Sequence, residues 1–258
     1  MLPIERALGV GRTPRPGSVL GVPAVPLDDA DAVLEALAST RAIRRYRDEL
    51  IPEDDLARML FAATRAPSGS NRQPVRFLVL RDSGPAIEAR GLIGEAARQM
   101  WAEKRAADGY DSGSGTSADS PKARTAATMQ RFVDGFESIP VVVLACAVRR
   151  WPGPEETLGA SVYPACQNLL LAARTLGYGG VMMMWHALVA DQLRQVLDIP
   201  DDVFLAATIT LGVPEGGHGP VRRRPVGELV FESTWDTPAP WATEPDGTRH
   251  SGRLRPPS

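Results

Sequence analysis

Six consecutive apolar residues, Val141–Cys146, form the segment that most constrains the fold of this chain. The run has the length of a strand, and because no polar residue interrupts it, we expect it to be buried in a sheet. Segments with strand and helix patterns occur on both sides of it along the chain. This mixture favours an α+β fold in which one central sheet is flanked by helices.

The surrounding segments predict the other elements of that fold. Pro52 occupies a position typical of a helix start, and the apolar stripe from Leu56 to Ala63 predicts an amphipathic helix after it. The most apolar helix is predicted over Val162–Leu176, with Gly177 as its stop signal. The remaining predicted helices are Asp28–Leu37, Pro85–Arg105, Pro121–Phe136 and Asp191–Leu197, and the remaining predicted strands are Phe77–Leu80, Val181–Met184, Phe204–Leu211 and Glu228–Phe231.

The ends of the chain differ in composition from its middle. Residues 1–26 are rich in Gly, Pro and Val without a period, which predicts an extended or disordered N-terminal arm. Residues 27–235 are predicted to form a single domain, followed by a Pro-rich, polar and disordered C-terminal tail over residues 236–258. Within the domain, residues 95–131 are predicted to form a lid-like region. Its polar tract Asp108–Ser120 is expected to be mobile and unable to bury any side chain.

Charge and cysteine content exclude several classes of function. The formal net charge of −2 gives the whole chain no attraction to nucleic acid or to an anionic membrane, so neither is expected as a partner. Cys146 and Cys166 lie among apolar neighbours without the spacing of metal ligands. We therefore expect core cysteines and no metal site. Because no signal segment or bilayer-length apolar run is present, a cytoplasmic location is expected.

A pair of arginines and a polar loop downstream of it carry the clearest functional signal. Arg41 and Arg44 are three residues apart, so on a helical turn their guanidinium groups project from one face and can clamp a phosphate or carboxylate. The Pro67–Pro74 loop adds hydroxyls, an amide and a glycine that admits a ligand close to the backbone. Each segment also has an ordinary interpretation, as a solvated basic face or as a turn. Together they outline a site for a nucleotide-like cofactor.

Four segments, in order along the chain, resemble the FMN-dependent nitroreductase family. That family carries an Arg-Arg-Ser-x-Arg-x-Phe start and an Ala-Pro-Ser-x-x-Asn-x-Gln-Pro-Trp loop. The resemblance implies a mostly antiparallel central sheet flanked by helices, and an intertwined homodimer with two FMN sites at its interface. The similar segments lie between about Asp28 and Trp235 and are Thr40–Tyr46, Ala66–Val75, Leu176–Met184 and Leu211–Pro214, the last leading to Arg222–Pro225.

The sequence departs from the family pattern at three positions. Thr40 replaces the first arginine, Ala42 the common serine and Val75 the common tryptophan. The loss of one arginine and one hydroxyl either weakens the phosphate site or shifts its load to Arg45 and Arg223. The loss of the tryptophan changes the packing behind the loop.

The resemblance also assigns residues to the cofactor and the substrate. Arg223 matches the arginine that reaches the FMN phosphate, and the backbone of Met182–Met184 matches the stretch beside the isoalloxazine ring. Trp101 and Phe132 suit stacking on a flat acceptor. His186 is expected either to line the substrate pocket or to be a structural histidine. The full set of expected cofactor-binding residues is Arg41, Ala42, Arg44, Pro67, Ser68, Gly69, Ser70, Asn71, Gln73, Met182, Met183, Met184 and Arg223.

The function that the resemblance implies is an FMN-dependent oxidoreductase. Such an enzyme takes hydride from NADH or NADPH and passes electrons to an electrophilic acceptor such as a nitroaromatic or a quinone. No catalytic side chain is expected, because the flavin N5 atom carries the hydride. Reductive dehalogenation, oxidation of a substrate by oxygen, and FMN binding without turnover remain alternatives. The sequence does not choose between NADH and NADPH, because it contains no separate dinucleotide fingerprint.

Overall fold

The structure is a computed structural model that describes residues 27–149, 155–217 and 221–245. The chain divides into two units, Met1–Glu35 and Ala36–Ser258, and the sheet and the site described below belong to the second unit. The helices are α1 (Leu27–Ser39), α2 (Glu53–Ala63), α3 (Gly84–Ala107), α4 (Pro121–Asp134), α5 (Glu155–Thr175) and α6 (Ala190–Val196). The strands are β1 (Val75–Leu80), β2 (Val141–Val148), β3 (Gly179–Met183) and β4 (Val203–Gly212).

The four strands form one sheet in the order β1-β2-β4-β3, and every neighbouring pair is antiparallel. Strand β2 contains the continuous apolar run and lies inside the sheet, where Val142 pairs with Leu80 on one side and with Thr210 on the other. This arrangement confirms the α+β fold with a central antiparallel sheet.

Helices cover both faces of the sheet, because successive side chains of β2 point to opposite faces. Val141 and Val143 pack into a core with residues of α2 and α5. Val142 and Leu144 pack on the other face, with residues of α3 and α6 and with Phe132 of α4. A strand covered in this way has no polar face, which explains its uninterrupted apolar sequence.

The two helices of the second face begin at serine caps. The Ser83 hydroxyl accepts a hydrogen bond from the Ala86 amide, and the Ser120 hydroxyl accepts one from the Ala123 amide at 2.9 Å. Each serine is followed within two residues by a proline, which fits the first turn because that turn leaves its amides without helical partners. The Ser120 cap fixes where α4 begins, and one face of this helix lines the site described below.

Three elements differ from their sequence-based expectations. Helix α5 begins at Glu155 rather than Val162, and Pro164 is accommodated inside it. The predicted strand over Glu228–Phe231 is wrong: a 3-10 turn spans Val226–Glu228, and in the described chain Phe231 forms only an isolated bridge with Pro238. The tract Asp108–Ser120 contributes one partly buried side chain, since the Tyr110 ring packs 5.2 Å from that of Trp101.

The segments expected to be disordered fall partly outside the described residues. The arm over residues 1–26 and the tail beyond residue 245 lie there. The first part of the tail is described: Ala239 is buried, and the Trp241 indole donates a hydrogen bond to Glu232 at 3.2 Å. This part of the tail therefore packs on the residues that precede it.

The two cysteines are buried and unpaired, as expected for core residues. Burial raises the pKa of Cys146 to about 11 and that of Cys166 to about 12, which keeps both thiols protonated and unreactive. Across the described ranges, no cluster of three or more His, Cys, Asp or Glu side chains could hold a metal ion, and no helix is long and apolar enough to cross a membrane.

Candidate functional site

The arginine segment, residues 40–47, is fixed between the start of β3 and the chain that leaves β4. The Ile43 amide donates to the Gly180 carbonyl at 2.9 Å, and the Arg47 amide donates to the Val213 carbonyl at 2.9 Å. The Glu215 amide in turn donates to the Arg45 carbonyl at 3.0 Å. Backbone bonds on both sides leave the segment little freedom, so its arginine side chains project from a fixed base.

Tyr46 anchors this segment to the sheet. Its hydroxyl lies 2.6 Å from the Ile43 carbonyl, to which it donates, and 2.8 Å from the Thr210 hydroxyl. Burial raises the pKa of Tyr46 above its ordinary value, so the phenol stays protonated and able to donate. The ring packs so closely on Gly212 that a Cβ atom there would lie 2.7 Å from Tyr46 Cδ1. The segment therefore depends on a glycine at this position of β4.

Three parts of the chain enclose an open pocket of about 810 Å³, which we call the arginine pocket. The arginine segment forms its floor, one face of α4 forms a wall, and the segment before Pro225 closes it. Six of its lining residues are arginines, and none is acidic. The lining residues are Arg41, Ala42, Arg44, Arg45, Pro121, Arg124, Thr125, Thr128, Met129, Gly217, Val221, Arg222 and Arg223.

The pocket brings together the three arginines that the sequence assigned to the phosphate, Arg41, Arg44 and Arg223, and also Ala42 from the expected cofactor-binding set. Arg44 is half-buried, and burial chiefly, with a smaller contribution from the neighbouring charge of Arg41, lowers its pKa. A pKa below the ordinary value means that the charged form of Arg44 is destabilised in the chain without a bound ligand. An anion between Arg41 and Arg44 would offset that cost.

The Pro67–Pro74 loop has an unusual backbone. Ser70, Asn71 and Gln73 adopt positive φ angles of 52°, 52° and 48°, although none is glycine. The Gln73 amide donates to the Ser68 hydroxyl at 3.0 Å, and the Gln73 side chain donates to Asn71 Oδ1 at 3.1 Å. Left-handed backbone is costly at non-glycine residues, so it persists only where the surrounding structure enforces it. Such residues cluster at functional sites. Gln73 thus supports the loop, while Asn71 remains exposed at its surface.

The loop and the arginine segment lie at opposite corners of the sheet. Pro74 leads into β1, beside the end of β2 that pairs with Val203, whereas Ala42 bridges Gly180 at the far edge, level with Leu211. Three steps lead across the sheet from β1 to β3, and a fourth leads from β3 to Ala42. The two levels are also seven residues apart along β4, from Phe204 to Leu211. Together these spacings place the corners about 30 Å apart. This distance exceeds the length of an FMN molecule. One chain therefore does not bring its own loop and its own arginines to one such ligand.

Met182–Met184 lie at the same edge of the sheet as the arginine segment, because β3 carries both the Gly180 bridge and the methionines. Met182 and Met184 are partly exposed, whereas Met183 packs into the core on the second face. Partly exposed thioether side chains at the same edge of the sheet as the arginine segment agree with an apolar ligand there.

The three expected substrate-binding side chains lie in the interior of the chain instead. Trp101 is 3% exposed and donates to Gln130 Oε1 at 2.9 Å. Phe132 is 4% exposed and packs against the rings of Tyr46 and Trp185. His186 is 3% exposed, and both of its ring nitrogens have hydrogen-bond partners at 3.1 Å. These residues hold α3, α4 and β4 together and present no ring face for a flat acceptor.

Sequence reasoning missed the wall that α4 contributes. Arg124, Thr125 and Thr128 follow one another at spacings of one and three residues, which places them on one face of the predicted helix. A polar helix face is most often a solvated one, so this signal was not specific. The structure shows that this face of α4 lines the arginine pocket, which the spacing alone could not indicate.

Comparisons with known proteins identify the family and the fold of this chain. The model of the family described as the nitroreductase family matches residues 37–213. An NADH dehydrogenase from Thermus thermophilus is 29% identical over 215 residues, which are 78% of this chain and 95% of that protein. A Desulfovibrio desulfuricans protein crystallised in complex with FMN is 27% identical, with a TM-score of 0.58 over 79% of this chain and 97% of its own. The NADPH:FMN oxidoreductase of Vibrio harveyi is 21% identical, with a TM-score of 0.59 over 79% of this chain and 77% of its own, a likeness of fold.

The family match covers more than half of the chain and includes the arginine segment, the Pro67–Pro74 loop and all four strands. The solved structures show the same fold over most of their length. The chain belongs to the nitroreductase family.

Proposed function

We propose that this protein is an FMN-dependent oxidoreductase that transfers hydride from NADH or NADPH to an electrophilic acceptor such as a nitroaromatic or a quinone. The observation that carries the proposal is the arginine pocket, whose lining residues include six arginines and no acid. The FMN complex of the Desulfovibrio desulfuricans relative supports the choice of cofactor.

The residues of the pocket fit a phosphate group. Arg41, Arg44 and Arg223 supply the charge-assisted hydrogen bonds, and the fixed backbone of the arginine segment orients two of these side chains. The hydride-accepting N5 atom is the chemistry that FMN supplies when bound. The chain contributes position and charge.

A complete site needs two copies of the chain. The Pro67–Pro74 loop lies about 30 Å from the arginine segment of its own chain by the strand spacings of the sheet. The loop of a partner subunit in a homodimer can reach that segment. We propose that Ser68 and Asn71 of one protomer hydrogen-bond the ribityl chain or ring edge of the FMN held by the arginines of the other.

The lid-like region has one clear contact with this site. Its last turns, at the start of α4, form the wall of the arginine pocket, while Trp101 lies in the core beneath. We propose that residues 95–131 influence which ligands bind next to the phosphate through this wall. Stacking by the buried aromatic rings plays no part in that influence.

The test of the function is to purify the protein, record its absorbance spectrum and add NADH or NADPH without oxygen. The wild-type protein should carry the absorbance of oxidised FMN, lose it on reduction, and recover it with a nitroaromatic or quinone. Protein that binds no FMN in titration would refute the proposal. FMN that resists both pyridine nucleotides would point to the alternative of FMN binding without turnover.

Arg44→Gln isolates the phosphate contact. Loss of one charge-assisted hydrogen bond should raise the FMN Kd by about tenfold or more. The stability of the variant without cofactor should equal or exceed that of the wild type, because the half-buried cation is removed. Arg58→Gln, an exposed arginine of α2 paired with Asp55, is the matched control and should leave the FMN Kd unchanged. A variant that loses stability together with FMN affinity would assign Arg44 a structural role.

A further inference from the structure

The arginine pocket holds more positive charge than one FMN phosphate requires. A phosphate monoester carries a charge of about −1.5 to −2 at pH 7, and Arg41, Arg44 and Arg223 already match it. Arg45, Arg124 and Arg222 also line the pocket, and no lining residue is acidic. The chain as a whole is slightly acidic, with 29 Lys and Arg against 31 Asp and Glu, so the surplus is local.

The surplus charge surrounds the pocket from several directions. Arg45 belongs to the floor, Arg222 to the segment that closes the pocket, and Arg124 to the α4 wall. Among the described residues of that wall, Arg124 is the only charged one. Thr125 and Thr128 are turned inward on the helix, since their hydroxyls donate to the Pro121 and Arg124 carbonyls at 2.9 Å each. The wall therefore offers an arginine, rather than hydroxyls, to a second anion.

Arg124 is positioned by the cap of its own helix. Its guanidinium donates to the Asp119 carbonyl, one residue before the Ser120 cap. This contact holds the side chain beside the N-terminal turn of α4, where the helix dipole also favours an anion. Charge, anchoring and dipole therefore coincide at one place on the α4 wall of the arginine pocket.

We propose that Arg124 and the surplus arginines form a second anion subsite in the arginine pocket, which takes the 2′-phosphate of NADPH and makes NADPH the preferred donor. This inference rests on the proposed function. The 2′-phosphate is what distinguishes NADPH from NADH, and as a monoester it has three terminal oxygens and up to two negative charges. Each phosphate of the dinucleotide bridge has fewer free oxygens and about one negative charge. It would therefore form fewer charge-assisted hydrogen bonds with Arg45, Arg124 and Arg222 than the 2′-phosphate would.

The first test measures binding, without turnover. The FMN-loaded protein is titrated by calorimetry with 2′,5′-ADP, which carries the 2′-phosphate, and with 5′-AMP, which differs from it only in lacking that phosphate. The wild type should bind 2′,5′-ADP about tenfold more tightly at low ionic strength, and the difference should shrink as salt is added. Equal affinity for the two probes would overturn the subsite.

The second test compares the variants Arg124→Gln and Arg131→Gln. Arg131 lies on the same helix, is exposed, and does not line the arginine pocket. Arg124→Gln should lower kcat/KM for NADPH about tenfold more than kcat/KM for NADH, and should remove the preference for 2′,5′-ADP. Arg131→Gln should leave the NADPH to NADH ratio as in the wild type.

The remaining outcomes separate this inference from the proposed function. If Arg124→Gln lowers both donors equally, Arg124 binds the pyrophosphate that they share, and the inference is wrong. If it changes neither donor, the subsite serves an anionic acceptor or no ligand, and the inference is again wrong. In both cases bound FMN that is reduced by NADH would leave the proposed function intact, whereas the absence of FMN from the wild type would refute that function itself.

Discussion

The hydrogen bonds of His186 define its protonation. The Leu205 carbonyl can only accept, so Nε2 at 3.1 Å must carry the proton. The other nitrogen, Nδ1, then accepts from the Thr208 hydroxyl at the same distance. This neutral tautomer satisfies both ring nitrogens inside the core. Burial lowers the pKa of His186, because the charged form would lose its water.

This residue predicts a pH dependence of stability. In the unfolded chain a histidine has a pKa of about 6.5. As the pH falls below that value, the unfolded state binds a proton at this residue while the folded state keeps the imidazole neutral. The free energy of unfolding should therefore be fully retained above about pH 6.5 and decrease below it, by at most about 1.4 kcal/mol per pH unit from this group. Urea denaturation at pH 7.5 and 5.5 measures the decrease.

The variant His186→Gln is the comparison, because an amide can still donate and accept but does not titrate. Its free energy of unfolding should depend less on pH than that of the wild type over the same interval. An identical pH dependence in the two proteins would assign the effect to other groups.

At the scale of elements, the placement of the arginine segment relies on close contacts with β3 and β4. Gly180 receives the Ile43 amide on its carbonyl, and Gly212 lies against the Tyr46 ring. A side chain at Gly212 would push on Tyr46 Cγ and Cβ, the rigid base of the ring, rather than on a mobile tip. Any shift of Tyr46 would also displace its bonds to Ile43 and Thr210.

Gly212→Ala should therefore lower the free energy of unfolding by about 1–3 kcal/mol, the usual cost of overpacking, and should weaken FMN binding in parallel. The control is Gly91→Ala in α3, where a Cβ atom would have no neighbour within 4 Å. That control should stabilise the protein by about 0.5–1 kcal/mol and leave the FMN Kd unchanged. Thermal unfolding and FMN titration give both quantities. A Gly212→Ala protein that matches the wild type in both would show that the segment tolerates displacement.

The elements also show how far the sequence predicts this fold. The β2 run and the patterns of α3 and α4 were sufficient, because a hydrophobic pattern is a local signal. The start of α5 was not predictable, since Gly159 suggests a break that the packing of this helix against the sheet overrides. The Glu228–Phe231 segment has a strand pattern, but in the described chain Phe231 has only Pro238 as a bridge partner.

At the scale of the whole molecule, the sequence places the loop and the arginines in one motif, while the sheet separates them. Their separation follows from the strand order β1-β2-β4-β3, which depends on long-range pairing and leaves no trace in local spacing. The arginine cluster could be predicted because Arg41 and Arg44 are close in sequence and Arg223 matches the family pattern, and the structure places all three in one pocket. Under the proposed function its pairing with the loop requires two chains, and this proposal has a direct experimental consequence.

The consequence is complementation between two defective subunits. One subunit carries Arg41→Gln and Arg44→Gln, and the other carries Asn71→Gly, which removes the amide but accommodates the left-handed backbone at φ 52°. In a symmetric dimer whose sites combine arginines from one chain with the loop of the other, the heterodimer holds one doubly altered site and one native site. Heterodimers purified through two different affinity tags should therefore bind about one FMN each with wild-type affinity. Both mutant homodimers should bind FMN weakly at every site.

If the arginines and the loop instead acted within one chain, each heterodimer site would contain one alteration and none would bind FMN normally. A protein that forms no heterodimer and yet binds FMN would contradict the two-chain site altogether.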